Sequence, residues 1–340
     1  MSVSVLALLD PSGPDPWLVT ALRSQQVPVM TCRAPARGYL TEIRTIRASV
    51  LETSAQIVHC HAYRAQVLGR LAVIGLAPAT VATEHGIIGG DWKNRFYEWL
   101  ELHALKRFDA VIAVSAELQD FLAETGVKRD ALHLVQNACL PLPLISNSEA
   151  RAKLGVEQDA VAIGWIGRMT LEKGPDVFVE AVARVQRKGA VAVMVGDGPE
   201  RERLEAAARR LGAAERILFT GPIPNAGELL GAFDSVVLSS RTEGLPISVL
   251  ETMSAGVPLV ATRVGDIPAV TSDGKYAALV DPDDPSALAA AIDRSLTDRD
   301  RAMELAREAS EWVKIQFGMD AWLDRISATY ESAMQRRAER

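Results

Sequence analysis

Twelve short apolar runs alternate with longer amphipathic stretches, and this alternation narrows the possible folds more than any other feature of the chain. The runs fall at 3–9, 27–31, 56–60, 79–83, 110–114 and 132–135, and again at 160–166, 190–195, 216–219, 235–238, 258–261 and 277–280. They are short and rich in Val, Ile, Leu and Ala, which suits strands covered on both faces. Strands alternating with helices give parallel sheets with helices on both sides. The two series are separated at 138–150, where Pro141, Pro143 and several small polar residues mark a linker. A chain of 340 residues supplies each half with its own core. The expected class is α/β: two doubly wound halves facing a cleft, with ligand sites beyond the carboxyl ends of the strands.

The segment Glu243-Gly244-Leu245-Pro246-Ile247-Ser248-Val249-Leu250-Glu251 stands at such an end, after the run 235–238. Pro246 suits the first position of a helix, where a missing N–H does no harm. Glu243 then lies on the loop and Glu251 roughly one and a half turns into the helix. Free N–H groups and the dipole at a helix start attract an anion, and two carboxylates beside it accept hydrogen bonds from hydroxyls. A phosphorylated sugar or a nucleotide fits that combination. From spacing alone, a surface helix with two solvated glutamates fits it equally well. The balance shifts upstream, where Gly167-Arg168 and Lys173-Gly174 follow the run 160–166. Gly167 permits close backbone approach, Arg168 offers a planar fork to phosphate oxygens, and Lys173 offers a flexible point charge.

With Val195-Gly196-Asp197-Gly198-Pro199, Phe219-Thr220-Gly221 and Ala255-Gly256-Val257-Pro258 added, the chain resembles the retaining glycosyltransferases of family four, which have the GT-B fold. The resemblance is dense over 160–300. It is thinner upstream, resting on Val58-His59-Cys60-His61, Thr83-Glu84-His85-Gly86, Val111-Ile112-Ala113-Val114-Ser115 and Asn137-Ala138. It implies a Rossmann-like acceptor domain over 1–145, a Rossmann-like nucleotide-sugar donor domain over 146–315, and a helix over 316–340 that packs back on the first domain. It also implies roles for single residues. Arg168 and Lys173, beside Gly167, would grip the donor diphosphate, and Glu251 would accept the ribose hydroxyls. Glu243 would lie by the donor sugar and its phosphate, with the backbone of Gly244, Leu245 and Pro246 along the sugar. Ile223 would offer backbone groups to the base, and Gly13 would approach the donor phosphate. His85 is expected near the donor sugar as a catalytic contact, His61 at the acceptor site, and His59 as a packed residue. The loop Gly86–Asp91 is a further candidate acceptor contact. Two stretches depart from the family pattern: the loop Asp10–Pro16 holds one Gly where a pair is common, and Gly265-Asp266-Ile267-Pro268-Ala269 lacks the second Gly and the Glu.

The implied reaction moves a sugar from a UDP-, GDP- or ADP-sugar to a hydroxyl of a carbohydrate or lipid-linked acceptor, with retention at the anomeric carbon. Two fixed cations would stabilise the leaving diphosphate, so no metal or other cofactor is expected. No carboxylate pair stands out as nucleophile plus acid, and front-face attack follows from the resemblance. Two alternatives stay open. A GT-B epimerase or hydrolase would turn over donor alone, and a nucleotide-sugar binding module would bind donor without turnover.

A net charge of −6 argues against a general nucleic-acid partner. Cys32, Cys60 and Cys139 show no Cys-x-x-Cys spacing, which suggests neither a disulfide frame nor a zinc site. No run approaches the ~18 apolar residues of a membrane span. The run 3–9 lacks the basic flank and cleavage site of a signal peptide. A cytoplasmic enzyme is expected. Arg33, Arg37, Arg44, Arg47 and the basic–aromatic stretches 92–97 and 106–108 are either solvated helix faces or a peripheral contact with the inner membrane face.

Overall fold

The computed structural model describes residues 2–35, 37–86 and 92–340; of the candidate loop Gly86–Asp91, only Gly86 falls among them. All twelve runs are strands: β1 (Val5–Leu9), β2 (Val29–Arg33), β3 (Ile57–His61), β4 (Ala79–Glu84), β5 (Ala110–Ala113), β6 (Leu132–Leu134), β7 (Val161–Ile166), β8 (Ala190–Val195), β9 (Ile217–Gly221), β10 (Ser235–Leu238), β11 (Leu259–Thr262) and β12 (Ala278–Val280). Every ladder is parallel. β2 starts two residues later than expected. The Val27 N–H closes the preceding helix on the Leu22 carbonyl (3.0 Å), and Pro28 has no N–H to give a ladder. The linker is also shorter than its composition suggests. Ser146 Oγ accepts from the Glu149 N–H (3.3 Å) and so starts the helix Asn147–Leu154 inside it.

The chain divides into two compact units, Met1–Val135 with Arg325–Arg340, and Gln136–Asp324. In the first, β1 and β2 form one ladder and β3-β4-β5-β6 another. β4 and β5 are buried along their whole length, as strands covered on both faces must be. Among the described residues no ladder joins β1 to β3. Leu6, Leu8, Met30, Ile57 and Val58 line one cavity of about 160 Å³ there. The end of the last helix, Met319–Ala338, belongs to this unit. Arg336 pairs with Asp130 (2.8 Å), Arg340 with Asp109 (2.9 Å), and Arg337 Nε donates to the Ala77 carbonyl (3.3 Å).

The second unit is a six-stranded sheet in the order β12-β11-β10-β7-β8-β9. Strand order reverses between the neighbours β7 and β10, so the loops leaving them diverge and open a crevice at their carboxyl ends. Residues 167–173 leave β7 and residues 239–246 leave β10, so this topology brings together motifs far apart in sequence. One apolar cluster around Phe233, Leu250 and Phe317 and another around Phe178, Met194 and Ile292 pack against the sheet. Among the described residues no helix is long and apolar enough to cross a membrane.

Candidate functional site

Gly167, Arg168, Lys173, Glu243, Leu245 and Pro246 line one open pocket of about 450 Å³ in the second unit, with Trp165, Ser240 and Ser248. Lys173 Nζ reaches both carboxylate oxygens of Glu243 (2.7 and 2.8 Å), and Ser240 Oγ donates to Oε1 (2.6 Å). The Glu243 side chain is only 7% exposed, so its charge depends on these partners. An ammonium has three N–H donors. Two serve Glu243, which leaves a third for an anion in the pocket. Arg168 also lines the pocket but stands differently, 75% exposed with a loose 3.6 Å contact to Glu172.

Two glycines permit this closeness. Gly174 has φ 57°, and a Cβ there would come 2.0 Å from the Ser239 carbonyl, so only Gly lets the β7 loop lie against the β10 loop. Gly265 has φ 52°, and its Cβ would meet the Glu243 carbonyl at 2.1 Å. The Asp266 N–H then donates to Gly244 O (2.9 Å). The one Gly retained in that divergent stretch is therefore the one that backs the Glu243 loop. Arg241 supports the other side. It grips Asp176 through two 2.8 Å bonds, the Leu171 carbonyl at 2.8 Å and Asp283 at 2.7 Å, which fixes the turn Leu171–Lys173 that carries the lysine. Asp281-Pro282-Asp283 is an Asp-x-Asp triplet at the end of β12, but Asp283 is engaged by Arg241. Among the described residues no group of three or more His, Cys, Asp or Glu is gathered to hold a metal ion.

Pro246 lies one place before the helix Ile247–Ser254, in extended backbone (φ −72°, ψ 123°), and not at its first position. No side chain caps this helix; the Val249 N–H turns back on the Pro246 carbonyl (3.1 Å), and Ile247 and Ser248, the two residues before it at the helix start, line the same pocket. Glu251 is about one turn further on. Burial pushes its carboxyl above the ordinary value. Gly227 lies close by, where a Cβ would come 3.5 Å from that carboxyl. Ile223 is partly buried against the apolar cluster around Leu250. Glu251 and Ile223 do not line the Lys173 pocket.

Gly13 lies in the first unit, where Arg33 Nη1 donates to the carbonyls of Asp10 (2.7 Å) and Gly13 (2.8 Å). A Cβ at Gly13 would meet nothing within 4 Å, so nothing in that loop demands glycine. Arg47 donates to the carbonyls of Ala72 (2.8 Å) and Ile74 (2.9 Å). Two of the four arginines considered for a membrane face thus serve the fold.

At the end of β3, His61 stands in register with Thr83 of β4. His85 follows β4, and its Nε2 is 3.3 Å from His61 Nδ1. His59 bonds the Thr83 hydroxyl through Nε2 (2.7 Å) and the Tyr330 hydroxyl through Nδ1 (2.8 Å). Burial first, then the charges of His61 and His85, pulls His59 down to about 3, so it is neutral. His61 is lowered by desolvation first and by His85 second. Glu84 fixes the backbone here, its Oε1 accepting from the N–H groups of His85 (3.1 Å) and Gly86 (3.2 Å) and its Oε2 from Gln66 (3.3 Å). Glu101 hydrogen-bonds Glu84 and is pushed up to about 8, by burial first and the Glu84 charge second. Sequence reasoning missed Glu84, Gln66, Ser240, Arg241 and Tyr330. Glu84 had a signal, an acid at the end of an apolar run, and Ser240 stood three residues before Glu243; the others had none.

The family model described as Glycosyl transferases group 1 matches residues 160–298, and that of Glycosyltransferase Family 4 matches 2–139. Alpha-maltose-1-phosphate synthase of Mycolicibacterium smegmatis is 30% identical over 74% of this chain and 72% of its own length. D-inositol 3-phosphate glycosyltransferase of Corynebacterium urealyticum is 33% identical over 49% of this chain. The match spans only 42% to 66% of the length of that protein and three other curated relatives. Among solved structures, HepE of Anabaena in complex with UDP has a TM-score of 0.82 at 22% identity, over 97% of this chain and 100% of that one. A glycosyltransferase from Rickettsia africae has 0.83 at 18%, over 98% and 99%. At these identities the likeness speaks for the fold, the Rossmann-like GT-B architecture. With family models matched in both units and a relative matched over most of its own length, the chain belongs to glycosyltransferase family four.

Proposed function

We propose that this chain transfers a sugar from a nucleotide diphosphate sugar to a hydroxyl acceptor, with retention and without a metal, in the assembly of a polysaccharide, lipopolysaccharide or glycolipid. Donor binding is assigned to the second unit and acceptor binding to the first. The observation that carries the reading is Lys173, held on the buried Glu243 beside Arg168 and the uncapped start of the helix Ile247–Ser254. A diphosphate in that pocket meets Lys173, fixed before the reaction, the exposed Arg168 beside it, and the N–H groups at the helix start, where its negative charge grows as the sugar leaves. The bond from the anomeric carbon to the phosphate oxygen breaks, and the bond to the acceptor oxygen forms on the same face. The acceptor's proton passes to the departing phosphate. Glu251 accepts the ribose hydroxyls, and Ile223, Gly244, Leu245 and Pro246 line base and sugar. His85 is assigned to the donor sugar, His61 to the acceptor and Gly13 to the donor phosphate, on the family resemblance alone. A glycan acceptor is favoured by relatives such as the lipopolysaccharide core biosynthesis glycosyltransferase LpsE of Rhizobium meliloti. Exposed Phe96, Tyr97 and Trp99 favour one presented on a lipid surface, which would place the enzyme at the inner face of the membrane.

Thermal shifts with UDP-, GDP- and ADP-glucose, on wild type and Glu251→Ala, test this reading. UDP-glucose comes first, because HepE has been solved with it. At a hundredfold excess over the dissociation constant, a bound donor stabilises by about 2.7 kcal/mol. One nucleotide is expected to raise the midpoint of wild type and to do so far less in Glu251→Ala. No shift with any of the three removes the basis of the donor assignment.

A further inference from the structure

His59, His61 and His85 form a column at the ends of β3 and β4. His59 stacks on His61 with ring centroids 4.4 Å apart and 29° between planes, and His61 on His85 at 5.7 Å and 25°. At the inner end, Tyr330 meets His59 edge-on at 90°, with its hydroxyl 2.8 Å from Nδ1. At the outer end, His61 and His85 are exposed.

A neutral imidazole carries one N–H and one bare nitrogen. His59 has a hydroxyl on each side, Tyr330 at Nδ1 and Thr83 at Nε2. A phenol is more acidic than an aliphatic alcohol and is the better donor. Tyr330 O–H therefore donates to Nδ1, and Nε2–H donates to Thr83. That choice fixes both the tautomer and the plane of the ring on which His61 rests. Between His61 Nδ1 and His85 Nε2, 3.3 Å apart, a hydrogen bond needs one proton and no more. With that proton on His61, a neutral His85 presents an N–H at Nδ1. With it on His85 Nε2, the same Nδ1 is bare and accepts. The backbone adds a second sign that His61 is held in place. Ala62, directly after it, has φ 64°, a left-handed conformation that non-glycine residues keep only where their surroundings impose it.

We propose that His61 and His85 act as one proton-sharing imidazole pair, that His59 sets the pair's geometry, and that Tyr330 is its positioning residue. Such a pair lets His85 offer a sugar hydroxyl first a donor and then an acceptor. As the proton on His85 Nδ1 leaves, the shared proton moves from His61 Nδ1 to His85 Nε2, and water returns a proton to Nε2 of the exposed His61, so that each ring ends with one N–H. Its use in catalysis rests on the assignment of His85 to the donor sugar; the pair itself is a property of the ligand-free unit.

Long-range ¹H–¹⁵N spectra of the full chain, without ligand at neutral pH, test it on wild type, His61→Phe and Tyr330→Phe. Phenylalanine at 61 keeps a ring in the stack but has no nitrogen to share. Both ring-nitrogen resonances of His85 are expected to shift in His61→Phe. Those of His61 and His85 are expected to shift in Tyr330→Phe, while backbone amides away from β3 and β4 keep their positions. His85 nitrogens unmoved in His61→Phe overturn the pair. In Tyr330→Phe, movement of the His59 nitrogens alone overturns the positioning role. If Tyr330→Phe loses the native amide spectrum, Thr83→Val removes the other hydroxyl from His59 and gives the same readout. Nucleotide-sugar thermal shifts on the same wild-type sample keep the two readings apart, since their failure sinks the donor assignment and leaves the imidazole result standing.

Discussion

The second unit offers a ligand a cation already neutralised by a buried carboxylate, whereas the first offers imidazoles, of which the innermost is held uncharged. Lys173 and Glu243 lie on loops from adjacent strands, 70 residues apart in sequence, and their attraction is short-ranged and charge-assisted. The imidazole column has no such pairing. It depends on stacking, on hydroxyl contacts, and on Tyr330, 271 residues from His59. A charged site can be assembled by a few residues at a strand-order reversal. A neutral one needs a buried wall, and a wall comes from distant parts of the chain.

Breaking the charged site should cost most. Lys173→Ala leaves Glu243 buried with Ser240 as its remaining side-chain partner, and the second unit is expected to lose about 2–3 kcal/mol, somewhat less than for a fully buried pair. Turnover, once a donor and acceptor are in hand, is expected to fall by about 10²–10³-fold. Adding Glu243→Gln should restore much of the stability and none of the activity. Urea unfolding of the three proteins checks this, and a single variant as stable as wild type would mean that water already solvates Glu243.

The first unit should show its character in its pH dependence. His59 sits at about 3 in the folded chain against an ordinary 6.5, so its contribution is held above pH 6.5 and lost as pH falls toward 3. Glu101 sits at about 8 against 4.5, so its contribution is held below pH 4.5 and lost as pH rises through 8. Between pH 4.5 and 6.5 the two slopes oppose each other. Stability of this unit should be flattest there and decline on both sides. Glu101→Gln should remove the alkaline decline, worth about 1–2 kcal/mol after discounting for the exposed part of the side chain. An alkaline limb unchanged in that variant would point to another group.

The smallest effect sharpens the same contrast. Ala62→Gly relieves a left-handed alanine, which costs about 1–2 kcal/mol, but adds chain entropy to the unfolded state. A net gain of up to about 1 kcal/mol in the first unit is expected by thermal unfolding, and a loss would show that Ala62 packs where glycine cannot.

The twelve strands were legible because covered parallel strands leave dense apolar runs, and the motifs of the second unit were legible because they follow those runs. Errors came where local chemistry overrode composition. Ser146 capped a helix inside the linker, Val27-Pro28 delayed β2, and Pro246 stood outside its helix. Arg241 was invisible because one arginine among many carries no periodic or spacing signal, although it holds the turn that presents Lys173.

By itself the sequence determined the strand–helix alternation, the cation pair and the two glutamates, and the glycines at the strand ends. These are local matters of apolar period, turn geometry and residue type. Only the tertiary structure decided that the β7 and β10 loops are neighbours, that Lys173 binds Glu243, and that Tyr330 reaches His59. Strand order and the docking of a final helix depend on which buried surfaces match, and no short window of sequence contains both surfaces.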